Sequence, residues 1–232
     1  MTIQPNLPIV FLACKVLESL LDEAIPEDLA DQVSFLDAGL HEVPKRLNTC
    51  LQTAIDEVQT PSLIVLGYGL CGNGLHGLRS DRHTLLIPRV DDCIAMLLGS
   101  YEAYRREFAS VPGTYYLTRG WLEAGSDPLK EYRAYVEEYG PEQAHLFMDL
   151  QYRNYERLAL VAHDQADLEA YRGQAREVAD YCEQWGMRYE EILGSDAYIR
   201  RLVNVASDPS KADSEFLLVL PGGEVKQGDF IR

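Results

Sequence analysis

Residues 62–74 read Ser62-Leu63-Ile64-Val65-Leu66-Gly67-Tyr68-Gly69-Leu70-Cys71-Gly72-Asn73-Gly74: a short apolar run that enters a glycine-rich stretch. The run Ser62 to Leu66 has the length and β-branched content of a strand buried on both faces, as strands in parallel sheets are. The glycines that follow disfavour a regular helix by about 1 kcal/mol each, so the chain must turn there in a shaped loop. Outward from this point the same rhythm recurs. Ile9 to Ala13 reads as strand one, with Val16, Leu17, Leu20 and Leu21 at helical spacing until Pro26. Val33 to Ala38 is strand two. Pro44 then suits the first turn of a helix whose apolar stripe is Leu47, Cys50, Leu51, Ala54, Ile55 and Val58. Thr84 to Ile87 is strand four, after which Asp91 or Asp92 caps a helix with Ile94, Leu97, Leu98 and Tyr101 on its inner face.

Strands that alternate with amphipathic helices predict an α/β fold: a Rossmann-like parallel sheet with flanking helices. Beyond Gly113 the spacing predicts strands at Thr114–Thr118, Leu158–Ala162, Tyr189–Leu193 and Phe216–Leu220. Between them lies a polar, tyrosine-rich helical region, 128–155, broken near Gly125 and Gly140. This predicts two similar α/β halves around a cleft, divided as 1–125 and 126–232, the second opening with a helical cap. Aromatic-rich helices between Glu131 and Tyr155 point to a homodimer.

The chain carries 37 Asp and Glu against 21 Lys and Arg, a formal charge of −16. A field of that sign repels phosphate backbones and anionic lipid, which argues against nucleic-acid and membrane partners. The apolar run Leu7 to Cys14 has no basic residue before it and is too short to span a bilayer, so a cytoplasmic protein is expected. The 5 cysteines form an odd set without a secretion signal, so reduced thiols are expected.

Cys50 and Cys182 fall on apolar helical stripes and read as core. Cys14, Cys71 and Cys93 end strand one, follow strand three and open the helix after strand four, positions that gather at the carboxyl edge of a parallel sheet. Helix N-termini there are expected to favour the thiolates of Cys14 and Cys93. Three such sulfurs suit a metal ion, zinc with an exchangeable position, or an iron–sulfur cluster with one open iron, and His41 is a candidate fourth ligand. The partner is then a small molecule or a metallocofactor. Three unrelated cysteines near buried strand ends are the plain alternative.

Gly67-x-Gly69-x-x-Gly72 also matches the dinucleotide fingerprint, with Asn73 beside it and Asp91 and Asp92 where a ribose-binding acid is expected. Against nucleotide binding, Gly74 and Gly77 fall where a phosphate-capping helix should start. A Cys–His nucleophile from Cys71 or Cys93 with His41, His76 or His83 is a further option that spacing does not select. His145, His163, Tyr115, Thr118 and Trp121 read more simply as surface or packing residues.

Together, Ala13-Cys14, Leu40-His41-x-x-Pro44, Gly67-Tyr68-Gly69-Leu70-Cys71-Gly72, Cys93 to Gly99, Gly113-Thr114-x-Tyr116-Leu117-Thr118 and Phe216 to Gly222 resemble a bacterial and archaeal family, domain of unknown function 1638. The resemblance carries no activity to transfer. It singles out Cys14, Cys71, Cys93 and His41 over Cys50 and Cys182, and its association with anaerobic one-carbon and corrinoid methyltransfer pathways implies a redox or metallocofactor-handling setting. Members of that family tend to have histidine before the cysteine at position 93; here Asp92 stands there, so a carboxylate takes that place.

Overall fold

A computed structural model describes residues 7–231. In chain order it contains β1 (Ile9–Cys14), α1 (Glu18–Ala24), β2 (Gln32–Leu36), α2 (Pro44–Glu57), β3 (Leu63–Gly67), β4 (Thr84–Pro88), α3 (Ile94–Leu97), α4 (Tyr101–Ser110), β5 (Thr114–Thr118), α5 (Arg119–Ala124), α6 (Pro128–Tyr139), α7 (Pro141–Tyr152), β6 (Arg157–Ala162), α8 (Gln165–Cys182), β7 (Arg188–Leu193), α9 (Ala197–Ser207) and β8 (Phe216–Val219). The fold class is α/β and Rossmann-like. No helix among the described residues is long and apolar enough to cross a membrane.

The chain forms two compact units. The first comprises the residues up to Met96 together with those from Asp196 onward, and the second runs from Leu97 to Ser195. The division expected at 125/126 thus differs from the observed one. Backbone pairing accounts for it, because β5 pairs with β6 in the second unit whereas β8 returns to pair with β4 in the first.

The first unit holds a five-stranded sheet in the order β2-β1-β3-β4-β8. Its first four strands are parallel, and β8 runs antiparallel at the edge, so the sheet is mixed rather than wholly parallel. β3 and β4 are buried along their whole length, as strands covered on both faces must be. On α2, Pro44 occupies the first turn and Leu47, Leu51 and Ile55 are fully buried. The order matters for function: the chain moves from β1 outward to β2, then starts again on the other side with β3 and β4. Connections leave β1 and β3 in opposite directions, which opens a crevice at their carboxyl ends.

The second unit has a parallel sheet in the order β5-β6-β7. It shares the α/β principle of the first without its strand order. The region read as a cap is a helical hairpin, α6 and α7, that builds this unit's own core: Met148 and Tyr152 are buried with Leu158, Leu160, Val178 and Cys182. Gly140 separates the two helices with φ of 79°, and the next residue, Pro141, starts α7. On the same hairpin Leu146 and Leu150 are exposed.

The helix expected from Asp92 through Tyr101 is two helices. Asp92 does cap the first, its Oδ1 accepting from the Ile94 backbone N–H at 2.9 Å. Gly99, at φ of 86°, breaks the run, and Ser100 Oγ caps α4 by accepting from Ala103 N–H at 3.0 Å. The apolar spacing of Ile94, Leu97, Leu98 and Tyr101 runs on across this break, so periodicity alone does not mark it.

Candidate functional site

Cys14 is the last residue of β1, Cys71 lies four residues past the end of β3, and Cys93 immediately precedes α3. Two backbone hydrogen bonds tie the second to the third: Leu70 N–H donates to Val90 O and Cys71 N–H to Asp91 O, both at 2.9 Å. β1 and β3 pair in register from Ile9↔Leu63 to Ala13↔Gly67, which sets Cys14 beside the start of the loop. Two glycines permit this closeness. A Cβ on Gly67 would lie 2.5 Å from Ala13 Cβ, and one on Gly69 would lie 2.8 Å from the backbone N and Cα of Asp92. Both approaches are closer than any side chain tolerates.

Cys71, Gly72 and Asn73 have φ of 46°, 61° and 74°, three successive residues in the left-handed region. Only Gly adopts it freely, so Cys71 is held there against a cost of about 1 kcal/mol or more. Asn48 on α2 secures the far side of the loop, its Nδ2 donating to Gly74 O and His76 O at 3.0 and 2.9 Å.

Burial pushes the Cys14 thiol up to about 11, with nearby Asp37 adding to the rise. For Cys71 the value is about 12, from burial first and then from Asp92 and Cys14. Cys93 is raised by burial, then by Cys14, Asp92 and Cys71. The expectation that helix N-termini favour thiolates at Cys14 and Cys93 is therefore corrected: α3 is one turn long, Cys14 faces only the 3-10 turn Lys15–Leu17, and desolvation outweighs so short a dipole. Raised in this way, the thiols favour their protonated, neutral form at physiological pH.

Raised thiol values couple to stability. An unfolded-chain thiol ionises near 9.0, while Cys14 and Cys71 in the fold hold their protons to about 11 and 12. The unfolded state therefore binds fewer protons over that window, and stability present in full below pH 9 falls as pH rises through it. Urea midpoints measured from pH 8 to pH 11 are expected to drop more steeply for the wild type than for Cys14→Ala. Parallel curves would count against buried, neutral thiols.

Tyr68 follows directly on β3. It is 2% exposed, and its hydroxyl has no hydrogen-bond partner in the chain. A buried donor left unmatched costs about 1–3 kcal/mol. Its phenol ionisation is pushed far up by burial and then by Cys14, Cys71, Cys93 and Cys50, in that order. Sequence reasoning passed over Tyr68, and no periodicity marks it. Cys50, read as core, is half-buried on α2 and within electrostatic reach of the same hydroxyl, whereas Cys182 is fully buried in the second unit.

His41 lies on the 3-10 turn Ala38–Glu42, its Nδ1 directed at Ala38 O at 2.5 Å. The acids the thiols sense are Asp37 and Asp92. His83 is a buried structural tie: Nδ1 accepts from Ser62 N–H at 3.2 Å and Nε2 donates to Val58 O at 3.1 Å, which fixes one neutral tautomer. His163 Nε2 contacts Leu97 O at 3.0 Å, and Thr118 Oγ1 caps α5 by accepting from Trp121 N–H at 3.3 Å. Gly67, Gly69, Gly72 and Asn73 are followed by turns over 71–77 rather than by a helix. The helix N-terminus that holds a pyrophosphate in dinucleotide sites is thus missing directly after the motif. Among the described residues, no three His, Cys, Asp and Glu side chains are arranged to hold a metal ion as they stand.

No curated protein and no solved structure matches the chain. A family model described as protein of unknown function (DUF1638) matches residues 35–203, a span that begins after Cys14 and takes in His41, Tyr68, Cys71 and Cys93. The chain belongs to that family.

Proposed function

We propose that Cys14, Cys71 and Cys93 form a three-thiolate site for a soft metal ion or an iron–sulfur cluster, serving redox chemistry or the handling of a metallocofactor. What supports this reading is that Cys14 ends β1 beside β3 while the loop bearing Cys71 is tied by backbone hydrogen bonds to the segment before Cys93, with Gly67 and Gly69 admitting backbone approaches closed to every other residue. Crevices of this kind are where doubly wound sheets take their ligands.

Neutral thiols have little mutual attraction and no reason to converge. A cation would reverse this, since a bound metal deprotonates its ligating thiols and draws them to itself. Three thiolates leave one position open on zinc, or one iron open on a four-iron cluster, for an exchangeable group. That open position is what distinguishes a working site from a closed structural one.

The test is metal and sulfide analysis, with an absorption spectrum, on anaerobically purified protein and its serine variants. Wild type and Cys182→Ser are expected to hold stoichiometric metal. Cys14→Ser, Cys71→Ser and Cys93→Ser should each bind at least about tenfold more weakly, the loss associated with disturbing a metal site. Cys182 is the appropriate control, because Cys50 stands near Tyr68. A wild type that binds no zinc, cobalt or iron, or equal retention by every variant, would overturn the reading.

A further inference from the structure

Large apolar side chains exposed one at a time are ordinary on soluble folds, whereas several exposed together on one element call for an explanation. Among the described residues Val33, Phe108 and Leu193 are exposed on three different elements, but Tyr139, Leu146, Phe147 and Leu150 are exposed on the single hairpin of α6 and α7. The buried stripe of α7 is Ala144, Met148 and Tyr152. Leu146 and Leu150 each stand two residues from Met148, a turn of about 200° around the helix, so they project from the opposite face. They are 56% and 52% exposed and contribute little to the packing of their own unit. Phe147 makes edge-on ring contacts with Tyr139 at 5.4 Å and with Tyr135 at 5.7 Å, which fasten α6 alongside and hold this face in a fixed shape.

The charges at the two ends of the strip identify its occupant. Glu142, Leu146, Leu150 and Arg153, all exposed, follow one another at spacings of four, four and three, which keeps them within about 80° of arc. At 1.5 Å per residue Glu142 lies about 9 Å before the level of Met148 and Arg153 about 7.5 Å after it. The strip thus reads acid, leucine, leucine, base, and it is complementary to its own reverse. A second α7 turned end over end about Met148 sets leucine on leucine and each acid on a base, with the two helix dipoles opposed. Asp149, at the rim, is already held by Arg153 of its own helix at 3.9 Å and does not meet the second copy as a bare charge.

We propose that this face of α7 joins two copies of the chain, antiparallel about a two-fold axis level with Met148, with Leu146 packed on Leu150 of the partner subunit and Glu142 facing Arg153 of the partner subunit. A contact between single hairpins falls at the small end of specific interfaces, below about 1,200 Å² in total, so the dimer exchanges with monomer. Each copy carries a charge of −16, and general repulsion opposes the pairing. The matched ends of the strip offset that repulsion locally and fix the direction of the helices.

Sedimentation velocity on the full chain tests this at physiological salt, where screening confines the general repulsion to about 8 Å, over a concentration series through the micromolar range. The wild type is expected to pass reversibly from monomer to dimer. The double substitution Leu146→Glu, Leu150→Glu should weaken association about thirtyfold or more, as loss of a central apolar anchor does. Its melting temperature, measured at a concentration where the wild type is monomeric, should stay within about 2 °C of the wild type, because both positions face solvent in the single chain. Glu142→Arg places like charges opposite each other twice and should weaken the dimer by about three- to tenfold. Adding Arg153→Glu to it restores opposite signs and should recover association.

A wild type that is monomeric throughout the series would overturn the proposal and leave the face to a different protein. A dimer that survives the leucine substitutions would place the interface elsewhere and overturn it as well. A clear fall in the melting temperature of the leucine variant would show that these side chains pack within the chain. A Glu142→Arg protein that associates as the wild type does, or that Arg153→Glu does not rescue, would overturn the antiparallel pairing.

Discussion

Gly69→Ala is expected to cost about 3 kcal/mol in folding stability and, on the three-thiolate reading proposed above, to abolish Co2+ binding. The added Cβ would stand 2.8 Å from the N and Cα and 2.9 Å from the carbonyl carbon of Asp92, all of them backbone atoms that no rotamer change can move aside. Relief requires the loop to withdraw, which stretches the Leu70–Val90 and Cys71–Asp91 hydrogen bonds and draws Cys71 away from Cys93. Overpacking of this kind costs about 1–3 kcal/mol, and each backbone hydrogen bond lost adds about 1. Urea denaturation and Co2+ titration measure the two losses. Gly173→Ala is the matched control: it lies within α8, a Cβ there meets nothing, and alanine should stabilise that helix by up to about 1 kcal/mol. A Gly69→Ala protein as stable as the wild type would mean that the loop does not press on the β4–α3 turn.

The second large effect belongs to Arg157, the first residue of β6. Its side chain is 5% exposed, and its guanidinium donates to Thr114 Oγ1 at 2.9 Å, Glu190 Oε2 at 2.9 Å and Glu107 Oε2 at 2.8 Å. One planar fork thus joins β5, β7 and α4, the elements that flank β6 in the second unit. Arg157→Ala is expected to destabilise the protein by about 3 kcal/mol, the lower part of the range for breaking a buried ion pair, because Glu107 and Glu190 are each about a third exposed and can recover water. Arg157→Lys should recover less than half, since a point charge cannot serve three acceptors in one plane. Thermal unfolding of the two variants checks this, and a loss below about 1 kcal/mol would place the network with weak surface pairs.

The central strands β1, β3, β4 and β6 were legible because burial on both faces leaves a local signature of short apolar runs, while the more exposed β2 and β7 showed through their β-branched and aromatic residues. The predicted runs overlap β1 through β8 to within a residue or two. The long helix after Asp92 was misjudged where local spacing continued across Gly99. The antiparallel direction of β8 was beyond reach for a different reason, since direction depends on the path of the chain from α9 and not on the composition of four residues. Cys50 shows the limit of helical periodicity. Each residue turns the helix by roughly 100°, so a residue at the margin of an apolar stripe can face core or crevice, and only the neighbours decide which.

By itself the sequence determined the α/β class, the strand-ending positions of Cys14 and Cys71, the glycines beside them and the acidic surface, because each follows from local composition and spacing. Tertiary structure alone decided the order β2-β1-β3-β4-β8, the contacts of Gly67 and Gly69 with Ala13 and Asp92, the neutral state of the buried thiols and the solitary hydroxyl of Tyr68. Those depend on which residues far apart in the chain meet and on how much water their meeting excludes. Both are set by the packing of the whole unit rather than by any one segment of it.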